Sequence, residues 1–123
     1  MIRIDDYMGR EFNWRTYNCW DFVRDVWKDH TGKDIGSRDF PTIARDDIKR
    51  FEEIAFKERL TVVTERIEKP EDPCLVVFIR PNVMSHIGIW VRGRVLHLRP
   101  QGNVVYQALD EVAVGYKELR WYK

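Results

Sequence analysis

The second half of the chain consists of short β-rich segments separated by turn-forming residues, and this pattern restricts the fold most strongly. In chain order the predicted strands are residues 75–79, 86–91, 94–98 and 104–106. The sequences Arg92-Gly93 and Pro100-Gln101-Gly102-Asn103 separate the last three, as expected for antiparallel hairpins. Residues 61–64 and 119–122 have a similar composition and are predicted to be edge strands. The pattern therefore predicts an antiparallel sheet of about five or six strands.

The residues before these strands have the periodicity of helices instead. One apolar face recurs at three- and four-residue spacing and consists of Cys19, Phe22, Val23 and Val26. Asn18 is a favourable N-cap and Gly32 a favourable terminating residue, so a helix is predicted from Asn18 to His30. A second helix is predicted from about Thr42 to Arg59. The predicted fold class is α+β, with N-terminal helices packed on a C-terminal antiparallel sheet.

Length and charge restrict the kind of protein and its partners. The chain has 123 residues, which suits a single domain spanning residues 1–123. The net charge is +1 and basic residues are scattered among acidic ones, so a nucleic-acid partner is not expected. Apolar runs of only a few residues predict no membrane span. The first six residues lack the basic start and apolar stretch of a signal peptide, which predicts synthesis in the cytoplasm without a leader.

Cys19 is the most chemically informative residue of the first predicted helix. Unpaired N–H groups and the helix dipole stabilise an anion in the first turn, so the pKa of a thiol there is expected to fall. His86 and His97 flank the Arg92-Gly93 turn, and alternation along the hairpin places both imidazoles on one face. A cysteine nucleophile needs a base and a group that orients that base, and the two histidines are candidates. Each of the three residues, taken singly, also fits a structural role.

Two segments, Tyr17–Gly32 and Pro73–Val105, resemble NlpC-type papain-like cell-wall peptidases, and most closely the short versions found in phage tail modules. That family begins its catalytic helix with a D-C-W-G-L-V-like sequence. Its P-G-D-x-V-x-F strand precedes an H-x-G-x-(Y/W)-x strand and a second histidine. The resemblance implies a papain-like fold and a cysteine peptidase that hydrolyses amide bonds in peptidoglycan stem peptides. It assigns Cys19 as nucleophile, His86 as base and His97 as the orienting group.

The same resemblance implies the molecular context. It predicts a peptidoglycan peptide as substrate, phage tail proteins as partners, and neither a cofactor nor a metal ion. Together with the missing leader, it predicts a location in a virion tail or delivery to the cell wall.

The chain departs from the family pattern at three positions. Asp21 replaces a glycine, and its carboxylate is expected either to raise the pKa of the Cys19 thiol or to bind a cationic substrate group. Pro73-Cys74 replaces a Gly-Asp pair, and Phe12 stands near the position of a tyrosine that supplies an oxyanion hydroxyl. The candidates for oxyanion or substrate binding are therefore Tyr7, Tyr17, Trp20 and Asp21.

Two other function classes fit parts of the pattern. A catalytically inactive structural or binding version of the same fold is one, since fold does not determine function. The other is a zinc-binding module that uses Cys19, Cys74, His86 and His97, although their spacing differs from that of closed zinc sites. The two cysteines show no disulfide framework and are expected to stay reduced.

Overall fold

The structure is a computed structural model that describes residues 1–13, 15–36, 60–80 and 86–123. The helices in these ranges are a 3₁₀ helix at Ile4–Tyr7, α1 at Cys19–Thr31 and α2 at Leu109–Ala113. The strands are β1 at Arg66–Ile67, β2 at Cys74–Ile79, β3 at His86–Val91, β4 at Arg94–Leu98, β5 at Val104–Gln107 and β6 at Glu118–Tyr122. Within the described ranges, none of the helices is long and apolar enough to cross a membrane.

The six strands form one antiparallel sheet in the order β1-β6-β2-β3-β4-β5. This arrangement confirms the predicted α+β class, and the six strands found in the described ranges agree with the predicted five or six. Hairpins join β3 to β4 and β4 to β5. These three strands are therefore neighbours in the sheet as well as in the chain. Because β2 and β3 lie in the middle of the sheet, nearly all of their residues are buried.

The sheet has apolar residues on both faces, and different helices cover them. The α1 face is packed with Phe22, Val23, Val26, Trp27, Leu75, Val77, Ile87, Ile89, Leu96 and Leu98. The opposite face carries Val76, Phe78 and Val95, against which Val112 of α2 packs. Because side chains alternate along a strand, His86 lies on the α2 face, next to the ring of Phe78.

Helix α1 begins and ends where the sequence predicts. The Asn18 side chain accepts hydrogen bonds from the N–H groups of Trp20 and Asp21, and the Asp21 carboxylate accepts one from the N–H of Asn18 at 3.0 Å. This reciprocal capping box fixes the entry of the chain into the helix. Cys19 is consequently the first helical residue, and Gly32 is the C-cap.

The hairpin of β3 and β4 depends on two glycines. Arg92 and Gly93 have φ angles of 48° and 78°, the left-handed conformation that a two-residue hairpin turn requires. A Cβ atom added to Gly88 would lie 2.8 Å from Cγ1 of Val95 and 3.2 Å from Cβ of His97. Only glycine therefore leaves room for Val95 and His97 at this position.

Two of the predicted strands differ from the structure. Residues 60–63 are helical, and Thr64 follows them with its N–H bonded to the carbonyl of Leu60, so the edge strand predicted at 61–64 is wrong. The strand at 119–122 is correct, but it lies between β1 and β2 instead of at the edge. The outer strand is Arg66–Ile67, which is too short to give a β pattern in the sequence. The helix predicted at 42–59 lies outside the described residues.

Candidate active site

The two histidines of the β3–β4 hairpin form a hydrogen-bonded pair. Nε2 of His86 lies 2.8 Å from Nδ1 of His97, and the rings meet edge to face. Both residues are buried, with exposed fractions of 5% and 4%. The prediction that hairpin alternation brings these imidazoles together is confirmed.

A glutamine on the adjacent strand extends this pair. Nε2 of His97 lies 2.8 Å from Oε1 of Gln107 in β5, and Nε2 of Gln107 lies 3.5 Å from a carboxylate oxygen of Glu111 in α2. Four side chains from four consecutive elements thus form one polar chain. Sequence reasoning missed Gln107 because a lone glutamine at the end of a strand carries no pattern.

Cys19 lies at the N-terminus of α1, where this helix packs against the sheet. The residue is half-buried and contacts the core on the α1 face. Backbone groups of Ile87, Trp20 and Cys19 itself lie close enough to the sulfur to lower the pKa of the thiol. In the described parts of the chain the sulfur makes no hydrogen bond to an imidazole. Cys19 therefore contacts β3 at the backbone of Ile87, the residue that follows His86.

Burial determines the protonation states in the site. It raises the pKa of the Cys19 thiol to about 11, and the three backbone groups and the repulsion by Asp21 are smaller effects. The predicted fall in the pKa of Cys19 is therefore wrong, because desolvation outweighs the helix terminus. Burial also lowers the pKa of His86 to about 3, with a further reduction from His97. The pKa of His97 is lowered by burial as well, and its bond to Gln107 opposes that shift. At neutral pH the thiol and both imidazoles are uncharged.

Tyr116 is a second neighbour of the site that the sequence did not indicate. Its ring packs 5.4 Å from the ring of Phe78, which in turn packs 5.7 Å from the imidazole of His86. The guanidinium of Arg80 lies 5.3 Å from the centre of the Tyr116 ring. Burial raises the pKa of the Tyr116 hydroxyl, and a negative charge on Cys19 raises it further, so the hydroxyl is within electrostatic range of the sulfur.

The structure does not bring the hydroxyls of Tyr7 and Tyr17 to Cys19. The Tyr7 hydroxyl donates to Asp29 at 2.8 Å, and the Tyr17 hydroxyl donates to Asp25 at 2.8 Å. Asp29 and Asp25 follow Cys19 by ten and six residues, roughly 15 and 9 Å along the axis of α1. Both hydroxyls are thus held along the side of the helix instead of at an oxyanion position.

The other two substrate-binding candidates have structural contacts. Trp20 is only 1% exposed, and its indole N–H donates to the carbonyl of Gly36 at 2.7 Å, so its ring belongs to the core. Asp21 completes the capping box of α1. Its predicted effect on Cys19 is present, since its charge raises the pKa of the thiol.

The proposed zinc ligands do not converge. Cys74 pairs with Trp90 in the sheet, whereas His86 pairs with Phe78, so the two residues are separated by four positions, about 13 Å, along the strands. Among the described residues, no group of three or more histidine, cysteine or acidic side chains could hold a metal ion. The four-residue zinc site is therefore not formed.

Comparisons of the chain with protein-family models, with curated proteins and with solved structures give no match.

Selective alkylation of the two cysteines is expected. Both thiols have a pKa raised to about 11 by burial, but Cys19 is half-buried while Cys74 is 0% exposed in an interior strand. Iodoacetamide should label Cys19 in the native protein at least about tenfold faster than Cys74, because folding protects a buried thiol. Mass spectrometry of peptides after timed labelling measures this ratio. Equal rates in the native protein would contradict the arrangement, whereas equal rates in denaturant are expected.

Proposed function

We propose that this chain is a cysteine peptidase with the papain-like NlpC-type fold, which hydrolyses amide bonds in peptidoglycan stem peptides. Cys19 is the nucleophile, His86 the base and His97 the group that orients the base. The observation that supports the proposal most directly is the buried His86–His97 hydrogen bond, one residue along β3 from Ile87, whose backbone lies at the Cys19 sulfur. The likeness of residues 17–32 and 73–105 to the family motifs supports the choice of substrate.

The direction of the histidine hydrogen bonds leaves one ring nitrogen for the thiol. Nε2 of His86 is bonded to His97, so Nδ1 is the nitrogen that would take the proton from Cys19. The thiolate then attacks the amide carbonyl carbon, and a carbon–sulfur bond forms as the carbonyl oxygen takes the negative charge. The backbone N–H of Cys19, in the first turn of α1, is a donor for that oxygen.

The rest of the reaction returns the proton in two steps. The imidazolium of His86 gives its proton to the leaving amine as the carbon–nitrogen bond breaks, which produces an acyl-enzyme. His86 then takes a proton from water, the hydroxide adds to the acyl carbon, and the thiol is restored when the carbon–sulfur bond breaks.

The raised pKa of Cys19 bears on the one alternative that an observation favours. A neutral thiol that has no hydrogen bond to the neutral imidazole of His86 is also consistent with a catalytically inactive binding version of the same fold. In the active version, the thiolate forms only when the proton passes to His86 in the substrate complex.

The family likeness also leads us to propose action in a phage tail assembly that is delivered to the cell wall.

Digestion of purified cell-wall sacculi tests the function. The wild-type protein should release soluble peptide-bearing fragments with one new amine for each bond cut, and the Cys19→Ala variant should release none. Cys74→Ala is the matched control, because it removes the other thiol at a position far from the histidines. Rapid alkylation of Cys19 without fragments from sacculi would contradict the peptidoglycan substrate, and loss of both reactions would favour the inactive version.

A further inference from the structure

The hydrogen bond from His97 to Gln107 fixes the position of a proton in the site. The oxygen Oε1 of Gln107 can only accept, so Nε2 of His97 must carry the hydrogen at their 2.8 Å contact. Nδ1 of a neutral His97 then has a lone pair and accepts from Nε2 of His86 at 2.8 Å. Nε2 of a neutral His86 therefore carries its hydrogen, and Nδ1 of His86 is left as a base.

Glu111 favours one orientation of the glutamine amide. The amide nitrogen of Gln107 points to the Glu111 carboxylate at 3.5 Å, and the amide oxygen consequently points to His97. A flipped amide would place its oxygen against the carboxylate and its NH₂ group against the N–H of His97. Both contacts would be unfavourable, because each joins two groups of the same hydrogen-bonding type.

We propose that Gln107 is a positioning residue that selects the Nε2–H tautomer of both histidines. Both imidazoles are buried and neutral, so each carries a single hydrogen whose position depends on its hydrogen-bond partners. The side-chain oxygen of Gln107, 10 residues after His97 in the chain, is the acceptor that holds the hydrogen on Nε2 of His97. Its consequence for catalysis rests on the proposed function, since only the Nε2–H tautomer of His86 has a free Nδ1 for the Cys19 proton.

Imidazole ¹⁵N chemical shifts measure the tautomers directly, without any substrate. The chain has three histidines, and the exposed His30 of α1 is an internal reference in the same spectrum. Histidine-labelled wild-type protein should show His86 and His97 mainly as Nε2–H tautomers at pH 8. Gln107→Met keeps the length of the side chain without an acceptor, and should change the tautomer ratio by about tenfold, the typical value of one hydrogen bond.

Two further variants separate the acceptor from other effects. Gln107→Glu keeps an accepting oxygen and should retain the Nε2–H tautomers. This variant keeps the proposal testable if Gln107→Met does not fold. Gln101→Met makes the same replacement in the exposed turn before β5, and should leave both tautomers unchanged. If sacculi are digested, Gln107→Met should lower kcat by up to about tenfold with an unchanged KM, in proportion to the tautomer shift.

The two proposals can fail separately. Wild-type tautomers of the opposite kind, or spectra of Gln107→Met that match the wild type, would overturn the positioning role even if sacculi are digested. The predicted tautomers and their loss in Gln107→Met, without any digestion by the wild type, would support the positioning role and reject the peptidase.

Discussion

Replacing His86 by alanine is expected to lower turnover of the peptide substrate by about 10²- to 10⁴-fold, the usual contribution of a general base. Replacing His97 should cost roughly one to two powers of ten less, because an orienting group contributes less than the base that it orients. The two residues are hydrogen-bonded to each other and equally buried, so the difference reflects their chemical roles and not their packing. Initial rates of amine release from sacculi, measured with saturating substrate, give the two losses.

Two variants make this comparison sharper. His86→Gln retains a donor to Nδ1 of His97 but no base, so it should be as inactive as His86→Ala while it is more stable. His30→Ala removes the exposed histidine of α1 and should keep full activity. A greater loss from His97→Ala than from His86→Ala would contradict the assignment and indicate that His97 is the base.

The sequence predicted the histidine pair and the position of Cys19 because local rules determine both. A two-residue turn at Arg92-Gly93 fixes the register of the hairpin, and register decides which side chains share a face. The N-cap at Asn18 fixes the first residue of α1 in the same local manner. The family likeness added the assignment of roles, which neither rule supplies.

What the sequence could not predict depends on contacts between distant elements. Gln107 acquires its importance from the pairing of β4 with β5, and Tyr116 from the chain that follows α2 and returns beside Phe78. The pKa of Cys19 was predicted in the wrong direction because a helix terminus is visible in a sequence, whereas the desolvation of a thiol is not. Residues 61–64 show the same limit, since their β-branched composition is overridden by a helical turn.

The neutral histidine pair has a consequence for stability in acid. In the unfolded chain an imidazole binds a proton below its ordinary pKa of 6.5, whereas His86 in the folded protein stays neutral down to about 3. Between these two pH values the unfolded state holds more protons, so the free energy of unfolding must fall as the pH falls. The pKa of His97 is lowered too, and its contribution has the same sign.

We therefore expect the wild-type protein to lose about 2 kcal/mol of stability between pH 8 and pH 5 from His86 alone. Urea unfolding curves at a series of pH values measure this loss, and this range lies above the ordinary pKa of the carboxylates. His86→Gln is the matched control, because its amide can still donate to His97 but does not titrate. The difference in unfolding free energy between the two proteins should shrink or reverse in favour of the variant as the pH falls. A constant difference between pH 8 and pH 5 would show that the pKa of His86 is the same in the folded and unfolded states, and would contradict the burial of a neutral imidazole.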